Sequence, residues 1–161
     1  MDDFTSKIIL ALIGGLVGVA GTVWTAKRRE NISTKKDQLR YFYAPIEILI
    51  RMNDKGFERY NKQSSSEHDK KYIEKHIWHP NHIKTKKLIM SQSHHLTKMP
   101  DEILALLEHI NVWLSEYELI HVKEERTGPV FAGPKGFRYP RESDQFVYDM
   151  AAKLRNELNE G

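Results

Sequence analysis

Residues 100–121 read PDEILALLEHINVWLSEYELIH, and their spacing decides the fold class. Ile103, Leu106, Ile110, Trp113, Tyr117 and Ile120 recur three and four apart, and Leu107 and Leu114 widen the same stripe. Only a helix lying against a core gives so regular a pattern. Pro100 suits the first turn, and Asp101 and Glu102 face the positive end of the helix dipole.

Outward from this helix the periods remain helical. Downstream, residues 126–140 break every period with Gly and Pro, forming a long loop. A last helix is expected from Pro140 to Leu158, presenting Phe146, Val147, Met150, Leu154 and Leu158. Upstream, Pro45 should interrupt a helix that covers 28–43, since proline lacks an N–H and disfavours helical geometry at Ala44. A new helix then carries Ile46, Leu49, Ile50, Phe57 and Tyr60. Ser66 to Ile77 forms another, closed by Trp78-His79-Pro80, and Asn81 would cap one running to Leu96. Gln63 to Ser66 reads as a loop tip. No segment alternates as a strand does, so the fold expected is all-α.

The N-terminus adds a different element. Ile8 to Ala26 is a run of nineteen uncharged residues, followed at once by Lys27, Arg28 and Arg29. As a helix it would be about 28 Å long, near the hydrocarbon thickness of a bilayer. Asp2 and Asp3 in front, and Trp24 where a cleavage site needs a small residue, argue against a signal peptide. The organisation expected is a single transmembrane helix at 8–26, a juxtamembrane helix at 27–44 and a helical ligand-sensing domain at 45–161. Lys27, Arg28, Arg29, Lys35, Lys36 and Arg40 place that domain in the cytoplasm, with the anchor in the inner (cytoplasmic) membrane. Gly14, Gly18, Thr22 and Ala26 form a four-residue stripe of small side chains, the type through which membrane helices self-associate.

Composition bounds the chemistry. The net charge is only +3, which excludes a polybasic nucleic-acid coat, and the chain holds eight histidines, three tryptophans and no cysteine. His76, His79 and His82 are three apart, but Pro80 keeps them off one helical face and no thiol joins them, so no metal is expected. No nucleophile elbow, phosphate loop or zincin motif occurs, and neither catalytic residues nor a cofactor are expected. Binding has better support. Lys135, Arg138, Tyr139 and Arg141 interleave cations with aromatic rings, while Trp78, His79 and Asn81 form a second group, with His95 as a further candidate. Aromatic faces stack on bases, cations meet phosphates, and Asn reads adenine edges.

Three blocks, Tyr41-Phe-Tyr-Ala-Pro-Ile-Glu47, His94-His-Leu96 and Gly136-Phe-Arg-Tyr-Pro140, sit in a layout of anchor plus helical domain. In that layout the chain resembles membrane-anchored accessory effectors of type III CRISPR defence. The resemblance implies a cyclic tetra-adenylate ligand, a tetramer and disturbance of the bilayer on activation. It carries no binding residue across by motif. A membrane adaptor docking a protein partner is the alternative of a different class, and a membrane-tethered hydrolase using histidine is a third.

Overall fold

The computed structural model describes residues 21–62, 64–130 and 139–160, and among these every regular element is helical. The chain divides into two compact units, Met1–Lys36 and Asp37–Gly161. In the first, the described residues 21–36 are helical (α1), with Thr25 Oγ1 donating to the Gly21 carbonyl and the Arg28 guanidinium over the Trp24 ring. Among the described residues no helix is long and apolar enough to cross a membrane. Most of the expected anchor, with Gly14 and Gly18, lies outside the described residues. Thr22 and Ala26 lie in α1.

The second unit begins with a π-helical turn, Gln38–Tyr43, that runs into α2, Ala44–Tyr60. There follow α3 (Glu67–Ile73), a second π-helical turn (Glu74–Trp78), α4 (His79–Gln92), a 3-10 turn (Ser93–His95), α5 (Asp101–His121) and α6 (Arg141–Asn159). Ser66 caps α3 through a reciprocal box with Asp69, satisfying two N–H groups that otherwise have no helical partner. Asp101 and Glu102 fill the first turn of α5, as the sequence leads one to expect, whereas Pro100, expected within that turn, precedes it as the N-cap in extended geometry.

The two internal prolines do not stop their helices. A proline removes one i→i−4 bond, and its ring collides with the carbonyl four residues back. Here a wider π turn precedes each proline. The Ala44 N–H reaches the Leu39 carbonyl just before Pro45, and the His79 N–H reaches the Glu74 carbonyl just before Pro80. Each proline then occupies the first turn of the next α-helix, where its missing N–H costs little. The helix expected to close at Trp78-His79-Pro80 therefore continues into α4. Asn81 is not its cap but a buried residue of its first turn.

Helix α4 packs against α2 and α5, and α6 packs against α2, α5 and the first π turn. Their shared core holds Phe42, Ile46, Ile89, Ile103, Ile110 and Val147, none with any exposed surface. Each such side chain contributes roughly 1.5–3 kcal/mol by leaving water. The stripe read in α5 is this buried face: Ile103, Leu106, Ile110, Trp113 and Tyr117 all point inward. Phe57 is an exception to its helix's expected face and is about half exposed.

Candidate functional site

The ligand residues read from the sequence occupy three places. Trp78 packs on Tyr60, with ring centroids 5.0 Å apart, and its indole N–H donates to the Asn53 carbonyl at 3.2 Å. Asn81 is buried and donates to Asn53 Oδ1 at 2.9 Å. His79 stacks on Tyr117 at 4.0 Å. His95 stands apart, beyond the far end of α4, where it stacks on Tyr41 at 5.3 Å and its carbonyl accepts from Gln38. Tyr139 and Arg141 lead into α6, with the Tyr139 hydroxyl donating to Asp144 and Arg141 exposed. Lys135 and Arg138 lie outside the described residues.

A ladder of rings joins two of these places through the interior. From Tyr139 it passes to His109 at 4.9 Å, then to His82 at 6.3 Å and Trp113 at 4.6 Å. Trp113 stacks on Tyr117 at 5.4 Å, and Tyr117 carries His79 on one side and His121 on another. Burial pushes His82 down to about 3, helped by the neighbouring His109 and His79, and pushes His109 down to about 4. Both imidazoles are neutral at ordinary pH. His82 Nδ1 is buried and has no hydrogen-bond partner among the described residues. No three potential metal ligands converge among the described residues.

Glu74, in the second π turn, ties this ladder to the loop. Its carboxylate is almost fully buried and accepts from three donors: the Tyr60 hydroxyl, His121 Nε2 and the Val130 N–H. Val130 in turn packs with Trp113 and Tyr117 at the start of the Gly/Pro loop. The sequence offered one sign of this, since Glu74 falls among apolar positions of its helix. Its partners are 14, 47 and 56 residues away along the chain, so its role cannot be read locally.

On the outside of the same helices an open groove separates α2 from α4 and the second π turn. It has two adjoining stretches, of about 500 Å³ and about 440 Å³, that meet at Ile48. Volumes of this order suit small ligands. Arg51, Lys55 and Arg59 follow one another at four-residue intervals along α2, so they share one face; Lys84 and Lys87 come from α4. No carboxylate lines either stretch. Ile48 and Met52 form an exposed apolar ridge between the cations.

Arg51 is the most firmly held of these cations. The buried Glu47 accepts from its Nε at 3.0 Å and its Nη2 at 2.9 Å, and Glu47 accepts from Arg155 on its other oxygen. Burial alone would raise the Glu47 pKa, but the hydrogen bonds and charges of Arg155 and Arg51 outweigh it and lower the value. The Arg51 guanidinium also lies 4.4 Å from the Tyr148 ring centre, and the Tyr148 hydroxyl donates to Asp54 at 2.8 Å. Near that end, burial raises Asp144 to about 6; the Tyr139 hydrogen bond lowers it, the Asp54 charge adds to the rise, and Arg141 opposes it. Sequence reading missed this groove because its cations come from two helices that are far apart along the chain. The four-residue recurrence of Arg51, Lys55 and Arg59 was its one legible sign.

No protein-family model, curated protein or solved structure matches the chain, so what the site does rests on the chemistry of its own residues.

Proposed function

We propose that the chain is a membrane-anchored defence effector without enzymatic activity, whose helical domain binds a cyclic oligonucleotide in the groove between α2 and α4. The observation that carries the reading is the clustering of five cations along an apolar ridge, of which Arg51 pairs with Glu47 and Lys55 with Glu58 while no carboxylate lines the groove itself, in a chain whose net charge is only +3. Phosphates would meet Arg59 first, with Arg51 and Lys55 exchanging their contacts with Glu47 and Glu58, and a base would lie on Ile48 and Met52. Asn81 and His76 border the same stretch. Cyclic tetra-adenylate is the favoured ligand. A ring of four equivalent nucleotides matches a symmetric assembly in which each subunit takes one quarter. The apolar run at 8–26 supplies the inner-membrane anchor, and its small-residue stripe the means of assembly, so that ligand binding in the cytoplasm would disturb the bilayer through an oligomer.

Calorimetry on the detergent-solubilised chain tests the reading. Cyclic tetra-adenylate should bind with an affinity that falls as salt rises, because phosphate contacts release counterions. Arg51→Ala and Arg59→Ala should each weaken it. Absence of binding by cyclic oligoadenylates at tens of micromolar or below, an affinity of about −6 kcal/mol, would leave the adaptor reading in first place. That second reading has its own support: the groove is open, and exposed Ile48 and Met52 beside cations also suit an acidic helix from a protein partner.

A further inference from the structure

We propose that the apolar stretch of the groove seats an acyl chain of an anionic phospholipid, so that this face of the helical domain lies on the inner leaflet. The floor of this stretch is Pro45, Ile48, Leu49 and Leu88, and its rim carries Lys84 and Lys87. Ile48 is 59% exposed, and Met52, one turn further along α2, is 50% exposed. Two large apolar side chains at that exposure on one helix face leave a surface that water solvates poorly. Lys84 and Lys87 are one turn apart on α4, and neither has an ion-pair partner among the described residues. Lysine stems lie along apolar surface while the ammonium groups reach outward, so the rim offers charge to a headgroup while the floor takes hydrocarbon.

The charge selects the occupant. With no carboxylate around the stretch, a zwitterionic or basic surface gains nothing there, whereas an anionic leaflet gains from each lysine. Residues 27–44 join the apolar run to Pro45 along the chain, so an anchor at that run would tether the groove to the bilayer. The inference rests on the anchor reading for this tether. It shares Ile48 and the two α4 lysines with the nucleotide reading and differs from it in the class of ligand.

The chain has no cysteine, so single cysteines can be labelled cleanly. The full chain carrying Ile48→Cys with an environment-sensitive dye is reconstituted in phosphatidylcholine vesicles, with or without phosphatidylglycerol. Leu104→Cys on α5, exposed but outside the groove, is the control. Flotation with pure phosphatidylcholine vesicles is checked first; a chain that does not float has failed the anchor reading rather than this one. Brominated phosphatidylglycerol should quench the Ile48→Cys label strongly and the Leu104→Cys label weakly. Lys84→Gln with Lys87→Gln should cut the preference for the anionic lipid roughly twenty-five-fold, at about five-fold per lysine. Equal quenching at both positions, or quenching unaffected by the lysine pair, overturns the proposal. So does loss of quenching on adding soluble glycerol phosphate, which would assign the cations to a free phosphate. Quenching relieved only by an acidic peptide overturns it in favour of a protein partner.

Discussion

Lowering the pH from 7.5 to 5 should destabilise the helical domain through two histidines that its core keeps neutral. His82 and His109 are 6% and 3% exposed, and burial holds them at about 3 and about 4. In the unfolded chain both return to about 6.5, so below that pH the unfolded state binds protons that the fold excludes. Stability therefore rises with pH, and what the pair contributes is lost as the pH falls from about 6.5 towards 4. At pH 5 the unfolded imidazoles lie about 1.5 units below their pKa, a cost of about 2 kcal/mol each and about 4 kcal/mol together. Asp144 works the other way. Its folded value is raised to about 6, so the fold gains on protonating it, by about 1.4 kcal/mol at pH 5. The net loss is about 2.5 kcal/mol, a large share of the roughly 5–15 kcal/mol that holds a domain of ordinary stability together. Urea unfolding followed by tryptophan fluorescence at the two pH values measures it. His82→Phe should remove about 2 kcal/mol of the pH dependence whatever its effect at pH 7.5. Equal stability at both pH values, or greater stability at pH 5, would refute the buried, neutral pair.

Three further outcomes follow from single positions. Gly56→Ala should destabilise by about 1–3 kcal/mol despite alanine's better helix propensity, since an added Cβ would lie 2.8 Å from Trp78 Nε1; thermal unfolding reads the sign. Glu74→Leu should cost about 3 kcal/mol, because it strands the Tyr60 hydroxyl, His121 and the Val130 N–H together, and proteolysis near Val130 should quicken. If the chain is anchored and assembled as proposed, Gly14→Ile with Gly18→Ile should reduce crosslinked oligomers in detergent, because bulky side chains prevent close approach; unchanged crosslinking would refute a role for the small-residue stripe in assembly.

Sequence periodicity carried the helices well and their junctions badly, for one physical reason. A stripe such as Ile103 to Tyr117 repeats within a single element, and burying it needs no knowledge of the partner. A proline is read from local sterics as a stop, yet at Pro45 and Pro80 the stop is avoided by a bond one residue longer, which no residue type announces. The site divides along the same line. Trp78 and Asn81 carry aromatic and amide groups that suit nucleotides, but the same groups suit a helix junction: both are spent on Asn53, one bonding its carbonyl and the other its side chain. In the sequence Arg51 is one charge among many. It acquires a fixed geometry only when Glu47 one turn earlier, and Tyr148 and Arg155 from α6, surround it. Chemical type limits what a residue is able to bind, but the elements packed around it decide whether that capacity faces inward or remains open to a ligand. On that criterion Arg59, Lys84 and Lys87 are better placed to meet an anion than Trp78 or Asn81.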